Sequence, residues 1–355
     1  MAVNNSNEKN KRPFKHLRKK ATLYSSAEEI TMILERWIRS LSIRLGWIDD
    51  FNIIISQYFN LLGLDCICKR ANNKNEQAKY FKLIKVLDDH FRTVTSVTFS
   101  PDDTKIALTS YDTTIRIWEV PSGDVAQMCK GHTHWVNSAD FSRDSSLIVS
   151  GSDDKTIRLW DTNTGKEIKN LKDMRLVSID KTIRLWDVQS GQEVKRMIGH
   201  SNVVKTVQFS PNAQTIVSAS YDAVIAIWDV QSGEKMYELL KHVNRVMKVR
   251  FSPDGLFLVS GSDTGTIRVW DVASGSQTTI LQGHKSGVTD VRFSPNGQTI
   301  VSCSNDGTIR IWDVKSAKEV QRIYNHSRSL TGIDISSEGD TLVSSSIDGT
   351  IQLWE

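Results

Sequence analysis

Between residues 81 and 355 the chain alternates short apolar runs with polar, turn-forming clusters. In residues 283–314, Val288, Val291 and Phe293 mark one strand, and Ser294-Pro295-Asn296-Gly297 reads as a hairpin turn. Thr299 to Ser302 is a second strand, Asn305-Asp306-Gly307 a second turn, and Thr308 to Trp312 a third strand. A polar link, Asp313 to Ala317, leads to a fourth strand near Glu319 to Ile323. Short β-rich segments bounded by Pro, Gly, Asn and Asp are what antiparallel hairpins require. Four strands in about 42 residues make a sheet too small to bury both faces. A ring of such sheets buries each against its neighbours.

Tryptophan spacing makes the repeat explicit. Trp118, Trp160, Trp186, Trp228, Trp270, Trp312 and Trp354 are separated by 42, 26, 42, 42, 42 and 42 residues. Five are followed by Asp (Asp161, Asp187, Asp229, Asp271, Asp313) and two by Glu (Glu119, Glu355). His90, His132, His200, His242, His284 and His326 each stand 28 residues before one of these tryptophans.

These residues, with Gly-His at 131–132, 199–200 and 283–284 and the Ser-x-Asp turns, resemble the Trp-Asp (WD) repeat β-propeller family over residues 81–355. The resemblance implies an all-β propeller; the seven repeat tryptophans make the expectation seven-bladed, and the helical spacing upstream puts a short α-helical segment before it. The resemblance also implies a hydrogen-bonded tetrad in each blade. The tetrads are His132/Ser150/Asp154/Trp160, His200/Ser218/Asp222/Trp228, His284/Ser302/Asp306/Trp312 and His326/Ser344/Asp348/Trp354. An imidazole held between carboxylate and hydroxyl is satisfied when buried, whereas an unpaired one is costly. Two repeats depart from the pattern: Leu108 replaces the serine beside His90, and Thr264 replaces the aspartate beside His242.

The last repeat ends on its third strand at Trp354-Glu355, and Phe81 to Leu87 is a strand with no repeat of its own. Pairing the two closes the ring and removes exposed edges. Blade 3 is incomplete: its repeat is 16 residues short, and the inner strand and its turn are missing between Trp160 and Trp186. What is left suffices for a three-stranded blade. The intact flanks favour a lost exon over an authentic truncation, and sequencing the transcript separates the two.

Upstream, residues 1–24 read as a basic leader, 25–70 as an amphipathic helical appendage and 71–80 as a polar linker. Ser26-Ala27-Glu28-Glu29 is a capping box, followed by Ile30, Ile33, Leu34, Trp37, Ile38 and Leu41 at helical spacing. Phe51 to Leu64 faintly resembles a lissencephaly-homology dimerisation motif, which implies self-association through residues 26–64. An amphipathic helix pair packing on the propeller or on itself explains the same residues.

Charge follows this division. Residues 1–80 carry 14 Lys/Arg against 8 Asp/Glu, and the remainder 31 against 33, so the formal +4 belongs to the leader. The ring has no overall pull on nucleic acid. Lys9, Lys11, Arg12, Lys15, Arg18, Lys19 and Lys20 read either as a solvated tail or as an import signal. Four scattered cysteines, Cys66, Cys68, Cys129 and Cys303, form no disulfide framework and suggest a reduced compartment, cytoplasmic or nuclear. The longest apolar run, 51–64, is too short and too polar to span a bilayer.

The sequence holds no phosphate-binding glycine loop, no HExxH and no Gly-x-Ser-x-Gly elbow, so neither an enzyme, a metal nor a cofactor is expected. The resemblance to WD-repeat propellers implies partner recognition on the rim formed by the loops entering the inner strands and by the second turns. Trp135, Tyr111, Tyr221, Lys205, Arg245 and Met247 fall there, and Trp, Tyr, Arg and Met are residue types enriched in interface hot spots. Together they suit a peptide with apolar and acidic groups. The expected function is a protein-interaction scaffold; the alternative is a substrate- or histone-recognition subunit of a chromatin or ubiquitin-ligase complex.

Overall fold

The computed structural model describes residues 80–355 except 89–91, 173–179, 188–189, 325 and 327. The leader, the helical appendage, most of the linker, Cys66, Cys68 and His90 lie outside the described residues. Those residues form strands and turns only, with no helix.

Six four-stranded antiparallel sheets follow one another. Blade I holds β2 to β5 (Val94–Phe99, Lys105–Ser110, Thr114–Glu119, Val125–Lys130), and blade II holds β6 to β9 (Val136–Phe141, Leu147–Ser152, Thr156–Asp161, Glu167–Lys172). Blade III holds β12 to β15 (Val204–Phe209, Thr215–Ser220, Ile225–Asp229, Lys235–Leu239), and blade IV β16 to β19 (Val246–Phe251, Phe257–Ser262, Ile267–Asp271, Gln277–Leu281). Blade V holds β20 to β23 (Val288–Phe293, Thr299–Ser304, Thr308–Asp313, Lys318–Tyr324). Blade VI combines β24 to β26 (Leu330–Ile335, Leu342–Ser346, Thr350–Trp354) with β1 (Leu83–Asp88) from the other end of the chain.

That pairing closes the ring. β1 runs antiparallel to β26, with Leu83 opposite Trp354 and Asp88 opposite Thr350. Lys82 and Glu355 exchange both backbone hydrogen bonds at 2.8 Å. Phe81 reaches back to blade V, where its amide and carbonyl are both held by the Gln321 side chain at 2.8 Å.

The blade count is six, not the seven implied by the tryptophan repeat. Where an incomplete blade 3 of three strands was expected, the described residues form one two-stranded ladder, β10 (Thr182–Trp186) with β11 (Glu193–Ile198), and residues 173–179, which would supply the remaining strand, lie outside the described residues. The residues this repeat lacks are those of the inner strand and its turn, so its later strands have no complete sheet to extend.

Adjacent blades bury their facing side chains together. Val217, Ala219, Ile225 and Ile227 of blade III, for example, pack on Val246, Val249, Phe251 and Trp270 of blade IV. The Trp-Asp aspartates serve the turns: Asp229, Asp271 and Asp313 each accept the N–H three residues on, at 2.6–2.7 Å. A short carboxylate at the first position of a turn satisfies donors that the ladder leaves open.

Inside the blades, Ser218 accepts from Trp228 Nε1 at 2.8 Å and meets His200 Nε2 at 2.7 Å, while His200 Nδ1 meets Asp222 at 3.0 Å. The same contacts join His132, Ser150, Asp154 and Trp160. They also join His284, Ser302, Asp306 and Trp312. In blade VI His326 and Trp354 both meet Ser344, but His326 Nδ1 meets the Thr350 hydroxyl at 3.1 Å in place of Asp348. The two deviant repeats behave as their residues dictate. Leu108 offers no acceptor, and Trp118 Nε1 is buried without a hydrogen-bond partner among the described residues. His242 meets Ser260 at 2.7 Å, while Thr264 turns to Ser262.

Candidate functional site

The loops entering the inner strands and the second turns share one face of the ring. Each entry loop is pinned by backbone hydrogen bonds to the turn beside it, as Tyr111 N to Thr93 O at 3.0 Å and Tyr221 N to Val203 O at 2.9 Å. Side chains there are therefore presented from rigid elements.

The six rim residues do not make one cluster. Tyr111 and Trp135 stack, ring centroids 4.2 Å apart and planes at 18°, and Trp135 remains 39% exposed. His134 leans on Trp135 at 5.0 Å and on Asp153 at 3.8 Å, and Asn137 donates to Asp153 at 2.7 Å. Separately, the Arg245 guanidinium lies over Tyr221 at 5.1 Å. Burial raises the Tyr221 phenol above its usual range, against the pull of Arg245. Lys205 is largely withdrawn into the ring, and burial lowers its amine despite Asp153. Met247 occupies the matching position of β16 and is half-buried.

The structure also brings residues to this face that the sequence reading passed over. A cavity of about 440 Å³ is lined by Arg92, Thr93, Tyr111, Trp135, Arg328, Ile347 and Asp348. Arg92 and Arg328 are exposed and make no ion pair among the described residues. The signal was present in sequence as the residue two before each inner strand, which is Arg in blades I and VI and Asn or Ser in blades III to V.

Below this face, charged side chains alternate around the channel. Lys248 faces Asp290 at 3.7 Å and Arg292 meets Asp334 at 2.8 Å. Burial lowers the Lys248 amine to about 8. A cavity of about 220 Å³ runs among these groups and extends to Asp140, Val149 and Val207.

Among the described residues no three His, Cys, Asp or Glu side chains converge to hold a metal ion. His132 is engaged in its blade. Burial pushes both the Cys129 and Cys303 thiols up to about 12, so neither is a ready nucleophile. No described helix is long and apolar enough to cross a membrane.

The family model described as WD domain, G-beta repeat, matches residues 81–119, 123–161, 191–229, 233–271, 275–313 and 317–355. Residues 162–190, which contain the defect, fall between matches. No curated protein matches the chain.

Proposed function

Starting from the chain's membership of the WD domain, G-beta repeat family, whose propellers generally serve as protein-interaction scaffolds, we propose that its recognition centre is the entry face of blades I, II and VI. The observation that carries this reading is the Tyr111–Trp135 stack, with Trp135 exposed, beside a cavity flanked by Arg92 and Arg328, which make no ion pair among the described residues. An aromatic shelf supplies apolar contact area at low entropic cost. Arginines at its margin favour an acidic group on the ligand. The Tyr221–Arg245 pair offers a second contact on the same face.

Affinity purification of the full chain, wild type against Trp135→Ala and Arg245→Ala, tests the proposal. Both variants are expected to lose specific partners while melting within a few degrees of wild type. Unchanged partner sets, or unfolding of both variants, would sink the assignment.

A further inference from the structure

Charge divides the two faces of the ring. Antiparallel strands put the entry loops at one end of each blade and the turns between first and second strands at the other. The described residues of the six entry loops carry Arg92, Lys241, Arg245, Lys285 and Arg328 and no Asp or Glu. The first turns, at 100–104, 142–146, 210–214, 252–256, 294–298 and 336–340, carry six Asp or Glu against the single cation Arg143. All five entry-loop cations are exposed, and none makes an ion pair among the described residues.

The second turns share the entry face and are rich in aspartate, but those carboxylates are engaged. The tetrad side chains of Asp154, Asp222 and Asp306 are only 3%, 7% and 8% exposed. Asp348, which lines the cavity beside Trp135, accepts the Thr350 N–H at 3.0 Å and its hydroxyl at 2.6 Å. Asp153 and Asp180 are exposed, but Asn137 donates to the first and Arg184 pairs with the second. Asp263 is half-buried, its N–H tied to the Arg245 carbonyl at 3.1 Å.

The cations are also ordered. Arg92 stands on blade I, Arg328 on VI, Lys285 on V, and Lys241 and Arg245 on IV. These four blades follow one another around the ring, through the closing sheet. The arc begins beside the Tyr111–Trp135 stack and the cavity flanked by Arg92 and Arg328.

Resting on the recognition centre proposed above, we infer that the entry face takes an extended acidic segment of a partner protein. A bulky apolar side chain of that segment lies against Trp135, and successive carboxylates follow the arc past Arg92, Arg328, Lys285 and Arg245. Cations spaced a blade apart suit a run of singly charged carboxylates. A phosphate concentrates its charge on three oxygens and draws on guanidinium groups gathered at one point. Residues 81–355 carry 31 Lys/Arg against 33 Asp/Glu, so the ring has no general attraction for nucleic acid. An acidic segment is steered to one face and repelled by the other.

The test is fluorescence anisotropy of the full chain with a fluorescein-labelled peptide of one Trp followed by Glu residues spaced by Gly. Saturable binding is expected, weakened by added salt and lost when every Glu is replaced by Gln. Arg328→Gln and Lys285→Gln should each weaken it about two- to fivefold, and Trp135→Ala about tenfold or more. Arg143→Gln, on the opposite face, should leave it unchanged. The altered side chains are exposed, so melting temperatures near wild type are expected. No saturable binding overturns the inference. Equal affinity for the Gln peptide overturns it too, and the recognition centre survives that result if Trp135→Ala still weakens binding. Salt-sensitive binding that ignores Trp135→Ala overturns the recognition centre and its apolar anchor together. Binding only after phosphoserine replaces a Glu, or displacement of the peptide by oligouridylate, overturns the inference in favour of a phosphopeptide or of RNA.

Discussion

Thr264→Asp should stabilise the ring by supplying the one tetrad member that blade IV lacks. In blades II, III and V the corresponding Asp154, Asp222 and Asp306 each accept three kinds of donor. The histidine ring lies 2.8–3.0 Å away. The N–H following that histidine lies at 2.8–3.0 Å. The N–H two residues beyond the aspartate lies at 2.9–3.0 Å. In blade IV the matching donors are His242 Nδ1, Val243 N and Thr266 N. Three such bonds contribute about 1 kcal/mol each, and desolvating the carboxylate offsets part of that, leaving a net gain of about 1–2 kcal/mol. The new aspartate would sit beside Asp263, but blade II carries Asp153-Asp154 in the same turn, so the added repulsion is tolerable.

Calorimetric melting at pH 7 and pH 5 provides the assay, with a rise of about 2–4 °C per kcal/mol expected at pH 7. The pH dependence has a definite sign. Burial holds the His242 imidazole at about 4, below its ordinary 6.5, so wild-type stability is lost as pH falls from about 6.5 to about 4. A carboxylate partner raises that value and removes part of the loss. The new aspartate should resemble Asp154 and Asp306, held at about 2, and so stay ionised at pH 5. The advantage of Thr264→Asp should therefore grow from pH 7 to pH 5. An unchanged or lower melting temperature at pH 7, or an advantage that shrinks at pH 5, refutes the reasoning.

Three further outcomes follow from the same geometry. Ser218→Ala leaves His200 Nε2 and Trp228 Nε1 buried without their shared partner, and chemical denaturation should show a loss of about 2–4 kcal/mol. Gly265 has a φ of +80°, and an added Cβ would stand 2.7 Å from the His284 carbonyl oxygen, so Gly265→Ala should cost about 2 kcal/mol or more by the same assay. For the wild-type ring, His242 and His326 are both lowered to about 4 by burial. Melting temperature should therefore fall as pH drops from about 6.5 to about 4, before the Asp154 and Asp306 carboxylates protonate; a flat profile over that window contradicts the assignment.

The period of 42 residues made the sheets, their turns and the closing strand legible, because each depends on local pattern: alternation, Gly and Asp at turns, and a histidine at fixed distance from a tryptophan. Phe81 to Leu87 could be matched to the last blade since a strand without a sheet and a sheet without a strand have one economical solution; the ladder proper runs from Leu83 to Asp88. The blade count was not legible in the same way. Tryptophan at 186 announces a repeat, yet a repeat becomes a blade only if its inner strands exist to bury the others. Nor did the chain predict which rim residues meet. Tyr111 and Trp135 come from blades I and II, and whether their rings stack depends on the rotation between blades, which no spacing encodes. The channel pairs Lys248–Asp290 and Arg292–Asp334 are hidden for the same reason.

The two irregular junctions of the ring differ in kind. At β1 and β26 the chain ends meet within one sheet, and the ladder there is reinforced by Lys82, Glu355 and the Gln321 clasp on Phe81. Lys82 and Glu355 pair backbone to backbone and Phe81 is held by the Gln321 side chain, so closure there is a property of the fold itself. At the short repeat Phe209 is 49% exposed, and Asp140 Oδ1 takes the neighbouring Phe141 N–H while making no hydrogen bond to another inner strand among the described residues. The described geometry is therefore six complete sheets with one interruption between blades II and III, and exposed apolar side chains gather there, Val207 and Phe209 among them.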